Sequence, residues 1–258
     1  MENINYDEVA DVYEHRNKKS YKAMGIPRKL RNIEQKNSLK TILEVGCGTG
    51  HWLSTFEYDT HVIGIDASYG MLSKANTPES SYHLIQGRSD HLPIKKKSID
   101  LIYCVNAIHH FDNPEQFIKD CKTILTQHGI LVIISMNPHS SQDDWFIYDY
   151  FEGTLEKDLK RFPSPSDVEK WLFKAGFTEV SFEVGERLQN RIFGEDIFPI
   201  PKDYTSQLSL LTDKEYKTGV KRIQDFIDSS YSKNEIPEFN VDISLSMVTA
   251  NVSLEMTT

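Results

Sequence analysis

The stretch TILEVGCGTGHW, residues 41 to 52, decides the fold. An apolar run of Ile42, Leu43 and Val45 ends at Gly46, two more glycines follow at alternate positions, Gly48 and Gly50, and a helical pattern opens at His51. That order reads as a strand, a tight turn and a helix start. Glycine permits the turn and removes the Cβ atoms that would hold a ligand off the backbone. A helix N-terminus adds N–H groups facing whatever lies there. The stretch is built to hold a polar ligand against main chain.

The spacing is G-x-G-x-G, with Glu44 two places before the first glycine, and not the G-x-G-x-x-G of dinucleotide-binding folds. It resembles motif I of the class I S-adenosylmethionine-dependent methyltransferases. The resemblance implies that Glu44 and the turn of Gly46, Cys47, Gly48 and Gly50 receive the amino-acid part of that cofactor. On these residues alone, a glycine corner in an ordinary α/β protein is the other reading.

A second apolar run, VIGIDAS at 62 to 68, also ends in an acid, Asp66. An acid ending the second strand of an adenosine-binding sheet accepts hydrogen bonds from ribose hydroxyls. Asp66 would serve equally as the N-cap of the helix Ser68 to Asn76. Ser68 can take that place, which leaves Asp66 free for the ribose. By the same resemblance Ala67 and Met71 line the cofactor. The third strand is expected at 81 to 87, and in the segment GRSDHLPIKKKSIDLIY that follows Leu92, Pro93 and Asp100 match the family pattern. One position departs from it: Arg88 stands where the family often has an acid for the adenine amino group. The backbone around Ser89 is then expected to hold the adenine, with Asp90 or a stacked Arg88 as helpers; a surface loop is the alternative.

The segment DLIYCVNAIHHF, 100 to 111, is apolar almost throughout and reads as a fourth strand buried on both faces. Its carboxyl end brings Asn106 beside the cofactor. His109 and His110 are candidates for acid or base work at the acceptor, and the other reading of the pair is structural. Upstream, NYDEVADVYEHR at 5 to 16 is amphipathic and matches a Y-D-x-x-A-x-x-Y segment that closes over the cofactor in resembling small-molecule enzymes. That places Tyr13 and Arg16 near the cofactor and makes Tyr13 a third catalytic candidate.

The rest supplies scaffold. A helix from Asn113 carries the stripe Phe117, Ile118, Cys121, Ile124 and Leu125, and a fifth strand spans 129 to 138. Aromatic residues crowd 141 to 154, reading as core or as an acceptor pocket. Ser166 and Glu169 form a capping box for a helix that ends at Gly176. An alternating strand follows, then an excursion at 190 to 238 with a helix from Thr212 striped by Tyr216, Val220, Ile223 and Ile227, and a last strand at 239 to 252. The expected fold is a three-layer, Rossmann-like α/β domain over 1–258, with a seven-stranded, mostly parallel sheet whose last strand is antiparallel. Within it, 1–38 forms an N-terminal lid with helices, 39–138 the cofactor-binding core, and 139–258 the acceptor side with the 190–238 insertion.

Composition narrows the partners. The 258 residues are 39% hydrophobic and 26% charged, as in soluble globular proteins, with a formal net charge of −9. That field opposes unassisted binding to phosphate backbones and anionic membranes. Cys47, Cys104 and Cys121 lack metal-ligand spacing, and Cys104 and Cys121 read as buried thiols, so neither a metal nor an oxidising compartment is expected. With no signal-peptide core and no apolar run long enough for a membrane span, a cytoplasmic enzyme is expected. The resemblance implies methyl transfer from S-adenosylmethionine to a small-molecule acceptor at oxygen, nitrogen or carbon. Its alternatives are an RNA-modifying methyltransferase and a silent cofactor-binding protein. The acceptor and the oligomeric state are not legible.

Overall fold

The computed structural model describes residues 6, 7, 10, 25–56, 59–78 and 80–252, the side chain of Glu195 excepted. In chain order its elements begin with α1 (Gly25–Asn37), β1 (Thr41–Val45), β2 (His61–Asp66), α2 (Tyr69–Ala75), β3 (His83–Gln86) and β4 (Ile99–Val105). There follow α3 (Pro114–Ile124), β5 (Leu125–Met136), β6 (Asp144–Trp145), α4 (Phe146–Tyr150), α5 (Thr154–Arg161) and α6 (Pro165–Lys174). The chain closes with β7 (Phe177–Phe193), α7 (Gly194–Ile197), α8 (Ser206–Ser209), α9 (Asp213–Ser232) and β8 (Glu238–Val252). Two compact units emerge, the larger from residues 6–137, 163–186 and 245–252, the smaller from 138–162 and 187–244.

The larger unit is built on a sheet in the order β3-β2-β1-β4-β5-β8, with β7 beside β8. The pairs from β3 to β5 are all parallel. β8 then runs antiparallel to β5, in register from Ile130↔Asn251 to Met136↔Leu245. This is the mostly parallel sheet with an antiparallel last strand. Its central strands are near-continuously apolar because both faces are covered. On one face Leu43, Val45, Ile102, Cys104, Leu131 and Ile133 pack with Phe117, Ile118 and Cys121 of α3 and with Val168 and Leu172 of α6. The order reverses between β1 and β4, so the carboxyl ends of these strands form the crevice where such sheets take ligands.

Several boundaries differ from expectation. Among the described residues directly after Gly50 no α-helix forms; a single 3-10 turn, Leu53–Thr55, stands there. Trp52, Thr55 and Phe56 are poor propagators, and successive short turns, Gly50 N to Cys47 O and Leu53 N to Gly50 O, use up the backbone groups. The fourth strand ends at Val105 because Asn106 turns to φ +48, a left-handed conformation that Asn tolerates, and a 3-10 turn follows over Ile108–His110. β5 begins at Leu125, which already pairs with Ile99. The cap of α6 is Ser164, whose Oγ accepts from Asp167 N, and Ser166 with Glu169 does not form the expected box. Pro165 dictates the shift, since it needs no N–H partner and its fixed φ suits the first helical position. Gly176, at φ +84, ends that helix as expected.

In the smaller unit β6 pairs the first half of β8 through Asp144↔Asp242 and Trp145↔Val241. The aromatic residues of 141 to 154 are core here: Trp145, Phe146 and Phe151 are buried, and Phe146 packs edge-on against Phe239. Thr212 and Glu215 form a capping box that starts α9 where expected. Its stripe differs, because Tyr216 and Val220 are only half-buried while Gly219 is fully inside. A Cβ at Gly219 would lie 2.2 Å from the Phe151 ring, so the helix approaches that ring only as glycine.

Candidate active site

The glycine turn is tied to β2 by three backbone N–H groups. Gly46 N and Cys47 N both donate to Ile65 O, at 2.7 and 3.1 Å. Gly48 N donates to Asp66 Oδ2 at 2.8 Å, and Asp66 Oδ1 accepts from Ser68 N at 2.9 Å. All three glycines have positive φ, +74, +52 and +78 at 46, 48 and 50. A Cβ on Gly46 would stand 2.5 Å from that of Ala107, so the loops after β1 and β4 meet as closely as backbone allows. The cradle read from sequence is present, although the helix N-terminus behind it is not.

Asp66 is not the free acid expected. Ser68 does cap α2, accepting from Met71 N at 3.1 Å, but both Asp66 oxygens are already engaged by backbone N–H groups. Burial raises its pKa, and the bonds from Ser68 and Gly48 pull the other way. Each carboxylate oxygen keeps a second lone pair, so a ribose hydroxyl can still be received. Beside it Ala67 is exposed, and Met71 of α2 is buried.

Glu44 sits deeper than a cofactor ligand. It is 0% exposed, level with Tyr103 of β4 in the ladder, and its Oε2 accepts from Tyr103 Oη at 3.0 Å while Oε1 has no partner among the described residues. Burial holds its pKa well above the ordinary glutamate value, with the Tyr103 bond opposing and Asp66 adding to the rise. Cys47 is also buried, its thiol pushed up by desolvation and by Glu44, so only its backbone is available to a ligand.

Arg88 is committed elsewhere. Its guanidinium binds Asp90 through two hydrogen bonds, 3.0 and 2.9 Å, and Asp112 through a third of 2.8 Å, joining the loop after β3 to that before α3. This replaces the expected helpers to adenine by an exposed ionic strut, next to a half-buried Ser89. Asn106 is exposed, and its Oδ1 accepts from Met136 N at 3.3 Å, pinning the end of β5.

Two residues that sequence reasoning passed over close the arrangement. Asp7 Oδ1 accepts from Ser68 Oγ at 2.6 Å and from Gly70 N at 2.7 Å, so it engages the start of α2 and its own pKa is lowered by those bonds. Tyr6 Oη lies 2.7 Å from His110 Nε2, with the rings edge to face. The first two letters of the Y-D-x-x-A-x-x-Y segment were the signal. The His109 ring lies tilted against that of His110, with centroids 4.0 Å apart. Tyr13 and Arg16 lie outside the described residues. Among those described, no three His, Cys, Asp or Glu side chains gather to hold a metal ion, and no helix is long and apolar enough to cross a membrane.

A parallel sheet reversing at β1 and β4, a glycine turn at that point and an acid ending the next strand define an α/β protein that takes a nucleoside-bearing ligand at its strand ends. Residues 43–133 match the family model described as a methyltransferase domain. That segment is a methyltransferase domain, and the matches support the class I S-adenosylmethionine-dependent type. It is 26% identical to the tRNA U34 carboxymethyltransferase of Ectopseudomonas mendocina over 148 residues, 55% of this chain and 46% of that protein. Against the ubiquinone biosynthesis O-methyltransferase of Coxiella burnetii it is 27% identical over 162 residues, 58% of this chain and 69% of the relative. The chain thus spans about half the length of the first of these relatives. In fold it resembles phosphoethanolamine N-methyltransferase 2 of Haemonchus contortus, solved with S-adenosyl-L-methionine, at a TM-score of 0.59 and 15% identity over 96% of this chain and 57% of that one.

Proposed function

We propose that this chain transfers the methyl group of S-adenosylmethionine to a small-molecule acceptor at oxygen, nitrogen or carbon. The observation that carries this reading is the glycine turn: three left-handed glycines, fixed by Ile65 O and Asp66, present bare backbone at the point where the sheet order reverses. Gly46 to Gly50 would hold the amino-acid part of the cofactor and Asp66 the ribose. The bound cofactor supplies a methyl group already activated by a sulfonium charge, so neither a metal nor a covalent nucleophile is required. The chain aligns the acceptor, excludes water and removes a proton where the acceptor carries one. His110, oriented by Tyr6, is the base we assign to that last task.

The ubiquinone relative supports an oxygen acceptor, and the tRNA relative supports a second reading, RNA modification. Incubation with methyl-labelled S-adenosylmethionine, a panel of phenols, alcohols and amines, and bulk tRNA separates them. Label in the small-molecule fraction is expected. Label in tRNA instead would replace the first reading by the second, and cofactor binding without any transfer would mark a silent binding protein. His110→Ala is expected to lower kcat by about 10²–10⁴ near neutral pH, the usual range for a general base, with S-adenosylhomocysteine affinity held.

A further inference from the structure

Two sealed polar atoms at the ligand end of β5, Ser135 Oγ and Asn137 Oδ1, have no hydrogen-bond partner among the described residues. Ser135 is 9% exposed. Ser135 alternates with Leu131 and Ile133, which places it on the sheet face covered by α3 and α6, and Asn137 follows at the same spacing just past the strand. Asn106 fixes this end of β5: its N donates to Ile134 O at 2.8 Å and its Oδ1 accepts from Met136 N. Across the ladder, Ser135 stands opposite Ser246 of β8. Buried polar groups are nearly always paired, and two unpaired ones at the carboxyl end of parallel strands point to a partner from outside the chain.

The chemistry of the pair selects that partner. Ser135 Oγ can donate or accept, whereas Asn137 Oδ1 only accepts. A carboxylate or phosphate would face Asn137 Oδ1 with nothing to donate. An ammonium would bring its charge among Ile133, Val248 and their apolar neighbours and leave the Ser135 hydroxyl hydrogen without an acceptor. A hydroxyl satisfies both atoms, accepting from Ser135 and donating to Asn137.

We propose that Ser135 Oγ and Asn137 Oδ1 form the subsite for an uncharged hydroxyl of the methyl acceptor, an alcohol or a phenol. This rests on the methyltransferase reading and narrows its acceptor class. Matched probes test it: benzyl alcohol, benzoate and benzylammonium, with ethanol, acetate and ethylammonium as a smaller series, added to protein saturated with S-adenosylhomocysteine and followed by saturation-transfer NMR. The alcohols are expected to bind at least about tenfold more tightly than their charged partners, and Ser135→Ala to weaken them by about tenfold, as the loss of one hydrogen bond would. Ser135→Thr, which keeps the hydroxyl, is expected to retain binding, and S-adenosylhomocysteine affinity should stay unchanged in both variants. Equal binding of the three head groups, no alcohol binding in either series, or Ser135→Ala binding like wild type would overturn the subsite, the last two marking a site for buried water. Protein that fails to bind S-adenosylhomocysteine sinks the methyltransferase reading itself, and the same probes on the free protein then decide the subsite independently.

Discussion

At the scale of single residues, Gly46 and Glu44 carry the most consequence. An Ala at Gly46 would meet Ala107 at 2.5 Å in a left-handed conformation, so Gly46→Ala is expected to destabilise by about 2–4 kcal/mol, the sum of overpacking and left-handed costs. Urea unfolding measures it; a loss under about 0.5 kcal/mol would mean the two loops are not in contact. Glu44 gives a pH signature. Its native pKa is raised above the ordinary 4.5 by burial. As pH climbs past that value the unfolded chain ionises while native Glu44 keeps its proton, so stability falls with rising pH until the native group itself ionises. Glu44→Gln ionises in neither state. Measured from pH 4.5 upward, wild type should lose ground steadily to Glu44→Gln; parallel curves would show that Glu44 ionises normally when folded. The sequence could name Glu44 as the acid of the motif but not its depth, because depth depends on Tyr103 standing beside it from a strand 59 positions away in sequence.

At the scale of elements, caps and turns decide the boundaries. Ser164→Ala should cost α6 about 1 kcal/mol, as N-cap losses do, while Ser166→Ala should cost little. The opposite order in thermal unfolding would restore the cap to Ser166. The central strands were legible because they are apolar on both faces, and α2, α3 and α9 were legible because Ser68, Asn113 and Thr212 are good caps before periodic stripes. The end of β4 was not, since Asn106 leaves the strand by a left-handed turn that its neighbours, all apolar, do not announce. Likewise the expected helix after Gly50 rested on the motif, and local propensity at Trp52 and Thr55 overrode it. Within the site, the strand-end position of Asp66 followed from the strand pattern. The bonds from Tyr6 to His110 and from Asp7 to Ser68 join residues 104 and 61 positions apart, and no local pattern encodes them.

At the scale of the molecule, charge separates the two acceptor classes. A net charge of −9 repels a phosphate backbone, and among the described residues Lys40, Arg88, Arg161, Arg187 and Arg191 are ion-paired to carboxylates. Bulk tRNA at physiological salt is expected to leave the protein unshifted in a gel; a shift that weakens steeply with added salt would favour the RNA reading. The central claim is the cofactor site, and calorimetric titration of S-adenosylmethionine and S-adenosylhomocysteine into wild type and Asp66→Ala tests it most directly. Both ligands should bind wild type, and the substitution should weaken them by about 1.5–3 kcal/mol, the scale of hydrogen bonds to a charged group. Binding of neither ligand to folded wild type would contradict the account, leaving the glycine turn a structural corner between β1 and β2.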